Sequence, residues 1–308
     1  MDRVYVMQLI RALQCNEISR REFITRAGAV LGSLASATLL ASACSSGAGS
    51  PPPVVSEAET AVPTVDPSSA EGLMTDMVTY PDAEGQELSG YLAHPGEGGP
   101  TWPAILVIQE WWGLNDHIKS VANRFAREGF VALCPDLYHG QVVTEPDEAR
   151  KLFMELDMSK DGTAVNEVRQ AADFLLNRDD VAGDKVAMIG FCMGGRMVLQ
   201  TARGSETIAP GVVFYGSPLT AAEANEVTIP ILGLFGDEDQ SIQVADVRTM
   251  EEAFNRAGIQ NEIHIYEGAG HAFFNDTRES YNEAAATDAW QRTLNWLQTH
   301  GTGDNNAT

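Results

Sequence analysis

A chain of 308 residues, 44% of them hydrophobic, has enough apolar material for one sizeable core or two modest ones. Its formal charge of −23 argues against nucleic acid and anionic membrane surfaces as partners. Four cysteines, only two of them in the part that reads as globular, exclude a disulfide-framed fold.

The first 44 residues read as an export signal. Ser19-Arg20-Arg21-Glu22-Phe23-Ile24 is a twin-arginine pattern, and Ala27 to Ala43 is an uncharged Ala/Gly/Ser-rich stretch. A short transmembrane anchor is the competing reading, but 17 such residues would span a bilayer poorly. The stretch ends in Leu40-Ala41-Ser42-Ala43-Cys44, which resembles a bacterial lipoprotein cleavage site. Ala41 stands where leucine is usual there, so cleavage after Ala43 without lipid is the alternative. The protein is therefore expected outside the cytoplasm, periplasmic or at the cell surface, meeting membrane only through a lipid on Cys44. Residues 45–71, rich in Ser, Pro and Ala, have little to bury and read as a disordered tether. Residues 72–300 read as one domain and 301–308 as a disordered tail.

Within the domain, short apolar runs alternate with helical patterns. "MTDMVTY" and "LSGYLAHP" alternate like strands around the turn "PDAEGQE" and predict an antiparallel start. "PAILVIQE" and "FVALCP" are continuous apolar runs, as expected of strands buried on both faces. Between them "NDHIKSVANRFAREG" carries a helical stripe ending at Gly129. Helices are predicted near 146–157 and 161–178, then the strand "KVAMIGF" and a helix from about Met193. "PGVVFYG", "IPILGLFGDED" and "NEIHIYEG" are further strands; 243–257 and 279–299 read as helices. This alternation predicts an α/β fold with a mostly parallel sheet covered on both faces. In such sheets chemistry gathers at the carboxyl ends of strands. That rule singles out Glu110, Asp136, Cys192, Asp237, Asp239 and His271. Cys134 ends an apolar run and reads as a buried strand residue.

Gly190-Phe191-Cys192-Met193-Gly194, between a strand and a helix, is G-x-C-x-G: a nucleophile elbow with sulfur in place of the usual serine oxygen. The tight turn lifts the side chain out of the sheet, and the helix N-terminus behind it favours negative charge on sulfur. A small buried hydrophobe in a tight turn is the plainer alternative. A phosphate-binding loop is excluded because G-x-x-x-x-G-K-[ST] is absent. In this type of site the order along the chain is nucleophile, acid, base. "GLFGDEDQSI" then supplies Asp239 as the acid in a G-x-x-D pattern, with Asp237 as its competitor, and "YEGAGHAFFN" supplies His271 as the base. The other five histidines have no such setting. Glu110 ends "ILVIQE" beside Trp111 and Trp112; it reads either as a carboxylate facing the cleft or as a strand-end surface residue. No metal-ligand spacing and no dinucleotide fingerprint is present, so no cofactor is expected.

Together, "QEWWGLNDHI", "GFVALCPDLY", "GFCMGGRMVL", "FGDEDQSI" and "GAGHAFFND" resemble the dienelactone hydrolase family of α/β-hydrolases, over about residues 74–298. The resemblance implies the α/β-hydrolase fold, a triad of Cys192, Asp239 and His271, and an oxyanion hole from the backbone N–H groups of Met193 and Trp111. It implies that Glu110 touches the resting thiol and helps to deprotonate it when substrate arrives. The implied substrate is a small ester or lactone, attacked by the thiolate to give a thioester that water then hydrolyses. Trp112 and Phe273 are the apolar substrate contacts expected from it. Family members hold a substrate carboxylate with two arginines; here the corresponding positions are Arg150 and Asn275, and Arg278 stands close enough in sequence to compensate. A cell-surface binding lipoprotein that keeps the fold without turnover is the alternative from another class. A serine peptidase or lipase relative is disfavoured by the absence of G-x-S-x-G.

Overall fold

The computed structural model of the chain describes residues 69–96 and 101–301. The export signal, Cys44, the tether up to residue 68 and the tail beyond residue 301 lie outside them. Residues 69–71, assigned to the tether from sequence, lie on the domain: Arg127 Nη2 donates to the carbonyls of Ser69 (3.2 Å) and Glu71 (2.6 Å).

The sheet begins with β1 (Met74–Pro81) and β2 (Glu87–His94), which pair antiparallel with Met74 opposite His94. Asp82 closes their turn by accepting from the N–H groups of Glu84 and Gln86. Six strands follow: β3 (Trp102–Ile108), β4 (Val131–Pro135), β5 (Val181–Phe191), β6 (Ile208–Phe214), β7 (Ile231–Gly236) and β8 (Asn261–Tyr266). Their order is β1-β2-β4-β3-β5-β6-β7-β8. β2 meets β4 antiparallel, and every later pairing is parallel. The continuous apolar runs are the central strands: every residue of β4, β6 and β7 is buried. β1 and β8 are the edge strands, and β1 buries only Tyr80.

Helix α1 (Asp116–Arg127) starts at Asn115, whose side chain accepts from the Ile118 N–H, and it buries Ile118, Val121, Ala122, Phe125 and Ala126. It covers one sheet face together with α7 (Glu283–His300). The opposite face is covered by α3 (Thr163–Leu176), α4 (Met193–Thr201) and α6 (Val244–Ala257). α7 begins four residues later than the pattern predicts, because Asn282 serves as its cap and accepts from the Ala285 N–H. The exposed start of β5 and the short helix α5 (Ala221–Ala224), held by a Thr220–Glu223 capping box, carry no periodic signal and were not foreseen. Cys134 is fully buried in β4, as its apolar run predicts. Among the described residues no helix is long and apolar enough to cross a membrane.

β4 lies on one side of β3 and β5 on the other. The chain therefore leaves β3 toward α1 on one face and leaves β5 toward α4 on the opposite face. Connections that diverge in this way open a crevice at the carboxyl ends of the two strands. Glu110 and Cys192 stand at its lips.

Candidate active site

Cys192 sits between β5 and α4 with φ 54° and ψ −111°. Non-glycine residues adopt this region only when their surroundings force them, at a cost of about 1–3 kcal/mol. The forcing contacts are backbone against backbone. A Cβ on Gly190 would strike the Gly194 carbonyl, and one on Gly194 would strike the carbonyls of Ile108 and Gln109. The Cys192 N–H donates to Phe214 O at 3.0 Å and the Gly194 N–H to Gln109 O at 3.1 Å, locking the turn to β6 and to the end of β3. Tyr215 and Ala272 also have positive φ, so strained non-glycine backbone gathers at the cavity that Cys192 enters.

That cavity holds about 830 Å³. Half-buried Cys192 and His271 both line it. His271 Nδ1 lies 2.7 Å from Asp239 Oδ2. The other Asp239 oxygen accepts from the N–H groups of Ser241 (2.7 Å) and Ile242 (3.0 Å), which leaves Oδ2 for the imidazole. Burial lowers the His271 pKa, but hydrogen bonding to Asp239 and interaction with the Cys192 sulfur outweigh it and raise it to about 10. Burial raises the Asp239 carboxyl, and the His271 and backbone hydrogen bonds more than compensate, so it ends below its ordinary value. Asp237, the competitor for the acid position, is exposed and accepts instead from the Gly268 N–H at 2.8 Å.

Met193 opens α4, and Trp111 follows the end of β3. Among the described residues neither backbone N–H has an acceptor. Both residues line the cavity that Cys192 lines, so two backbone N–H groups without acceptors belong to residues of its wall. Trp112 packs edge-on against Trp111 with centroids 5.1 Å apart and carries the Arg278 guanidinium 4.3 Å above its ring. Arg150 and Phe153 reach the rim from α2 (Pro146–Glu155). Arg196 also lines the cavity, but its guanidinium is bound to Pro218 O and Glu223. Arg150 and Arg278 have no acidic partner among the described residues.

Two expectations are corrected here. Phe273 is fully buried against Tyr215, Phe214 and Tyr266, and does not reach the cavity. Asn275 is 1% exposed and also misses the cavity, because its amide turns inward to Glu110. Glu110 itself is 2% exposed, a buried carboxylate at the cavity wall. Sequence reasoning passed over Tyr215, whose ring lies 5.2 Å from that of His271. It follows an apolar run as the other strand-end candidates do, so the rule that found them reaches it too. Among the described residues no group of three or more His, Cys, Asp or Glu is gathered as metal ligands.

The signature of the dienelactone hydrolase family matches residues 88–301. A "Putative carboxymethylenebutenolidase" of Methylorubrum extorquens is 34% identical over 253 residues, covering 78% of this chain and 86% of that protein. One of the same description from Synechocystis is 35% identical, covering 74% of this chain and 97% of that one. Among solved structures, a "Putative Dienelactone Hydrolase" from Klebsiella pneumoniae superposes with a TM-score of 0.66 at 30% identity, covering 73% of this chain and 98% of that one. The chain belongs to the dienelactone hydrolase family and is a hydrolase of the α/β fold.

Proposed function

We propose that the protein hydrolyses carboxylic esters or lactones through Cys192, His271 and Asp239, by way of a thioester. The observation that carries this reading is Cys192 on a strained turn, in one cavity with an imidazole bonded at 2.7 Å to a buried carboxylate. In the resting site the raised His271 pKa favours its imidazolium form. The thiolate attacks the carbonyl carbon, and the carbonyl π pair moves to oxygen, where the N–H groups of Met193 and Trp111 receive it. One such donor is worth roughly 2.7–4 kcal/mol to the barrier. The oxyanion collapses, the C–O bond breaks, and His271 protonates the departing alkoxide. In the thioester the sulfur bears no charge, so one support of the high His271 pKa is gone while burial still lowers it. The neutral imidazole then takes a proton from water as the water attacks the thioester. Collapse of that second adduct releases the acid and restores thiolate and imidazolium. Asp239 keeps the Nδ1–H of His271 pointed at itself throughout.

For substrate choice, we infer that Arg278 and Arg150 attract an anionic group while Trp112, Phe153 and Ile242 take an apolar body. We also propose export, with residues 1–43 removed and Cys44 as a lipidated N-terminus; the mass of the mature N-terminal peptide tests this.

The decisive experiment is mass measurement of enzyme quenched during turnover of an ester and lactone panel. An acyl adduct on Cys192 is expected, with activity reduced at least about 10³-fold in Cys192→Ala. An adduct elsewhere, or normal turnover by Cys192→Ala, would sink the reading.

A further inference from the structure

The Glu110 carboxylate is met by two neutral donors. Asn275 Nδ2 donates to Oε2 at 2.8 Å, and the Tyr215 hydroxyl donates to Oε1 at 3.4 Å. All three residues are buried. The orientation of the Asn275 amide is fixed from its other end, where Oδ1 accepts from the N–H of Thr277 at 3.1 Å and from its hydroxyl at 2.7 Å. No hydrogen bond joins Glu110 to Cys192, and the sulfur is among the causes that raise the His271 pKa.

Glu110 and Tyr215 follow the ends of β3 and β6, and Asn275 lies in the loop beyond β8. Glu110 precedes Trp111, which offers one of the two unused amides. Tyr215 follows Phe214, whose carbonyl anchors the Cys192 N–H, and its ring lies against His271. Asn275 sits in the loop of His271, where its N–H donates to the Ala272 carbonyl at 3.0 Å. One carboxylate thus ties the Trp111 loop and the His271 loop to the base of the Cys192 turn.

We propose that Asn275 is a positioning residue that clamps Glu110, so that this carboxylate holds the Trp111 amide and His271 in register and does not take the Cys192 proton. This rests on the proposed thiol mechanism but departs from the role that the family resemblance gives Glu110. An arginine at position 275 would compete for Glu110 with a full charge and draw it toward substrate. The neutral amide, already satisfied by Thr277, gives Glu110 a fixed partner.

The test uses the purified chain and two readouts. In the first, kcat and KM are followed against pH for Asn275→Ala and Asn275→Asp. Loss of the amide donor is expected to lower kcat by about 10- to 100-fold with KM little changed. In Asn275→Asp two carboxylates face each other, and the pair shares a proton as pH falls. That proton restores a hydrogen bond, so the kcat ratio of the Asp variant to the Ala variant should climb on the acid side. The other titratable groups facing Glu110 are Tyr215, Cys192 and His117, the last beside Asp276 at 3.4 Å. They are common to both variants and cancel in the ratio. Wild-type kcat in Asn275→Ala, or a ratio flat with pH, overturns the proposal. The second readout is the alkylation rate of Cys192, followed on its own peptide by mass so that Cys15, Cys44 and buried Cys134 do not enter it, and it needs no ester turnover. Glu110→Gln, which loosens the register of His271 but keeps its imidazole, should slow alkylation far less than His271→Gln does. Slowing by Glu110→Gln as large as that by His271→Gln overturns the proposal, even where the Asn275 variants fail to fold. Absence of an acyl adduct would strike the thiol mechanism itself, a distinguishable result.

Discussion

Asn275 stands where the resemblance implies a substrate-binding arginine, and Arg278 is the nearest arginine to it in sequence. Asn275 has turned inward to Glu110, and the exposed Arg278 stacks on Trp112 at the cavity rim. A charge-assisted contact to an anionic substrate is worth roughly 1.5–3 kcal/mol, about 10- to 100-fold in binding. Arg278→Ala should raise KM for a carboxylate-bearing ester by that factor and leave its neutral methyl ester within about twofold, since only the anion gains from the charge. Equal effects on both esters would show that Arg278 only packs on Trp112. Residues of this kind are hard to read from sequence. Cys192, Asp239, His271 and Glu110 are legible because each follows an apolar run, where the fold itself fixes position. Arg278 and Phe153 lie in a loop and on a short helix, and only coordinates decide whether they face the cavity. Phe273 and Asn275 failed for the same reason: closeness to His271 in sequence says nothing of which way a side chain turns.

The β5–α4 turn shows how an element makes chemistry. Gly194 is required because its Cα faces the carbonyls of Ile108 and Gln109, with no room for a methyl group. Gly194→Ala must push α4 away from the end of β3. Overpacking of this sort costs about 1–3 kcal/mol, and thermal unfolding should register it as a lowered Tm. Activity per folded molecule should fall further than stability does, because the same shift separates the Met193 and Trp111 amides. A variant that loses stability yet keeps full turnover would mean that this pair of amides is not used. The element pattern itself was legible wherever burial imposes a period. β4, β6 and β7 are continuous apolar runs because helices cover both their faces, and α1 shows a stripe because only one side packs. α5 has four residues, fewer than the stripe needs to repeat, and the first residues of β5 are exposed or half-buried, so burial wrote no pattern there.

At the scale of the whole molecule, the same ionisations that set up the site also set the pH range of the fold. His271 rises from its ordinary 6.5 to about 10. A cation with a raised pKa stabilises the folded state fully below 6.5 and loses that contribution as pH climbs through about 10. Glu223 behaves in the opposite way. Burial opposes its charge, but bonds from Thr220 and Gln200 together with Arg196 bring its pKa down to about 2. Its contribution is present above 4.5 and is lost as pH falls toward about 2. Asp239, also lowered, adds to that acid limb. Stability should therefore peak between about 4.5 and 6.5 and decline on both sides. The alkaline limb belongs to His271 and the acid limb to Glu223 and Asp239, which makes the expectation specific. His271→Gln should flatten the alkaline decline and, by taking a partner from Asp239, part of the acid one. Glu223→Gln should flatten only the acid decline, since Glu223 with its pKa of about 2 stays ionised throughout the alkaline range. Urea unfolding of the three proteins across this range reads both limbs directly. An alkaline decline unchanged in His271→Gln would mean that the imidazolium at the site is not held by the fold, and the resting ion pair on which the proposed mechanism begins would go with it.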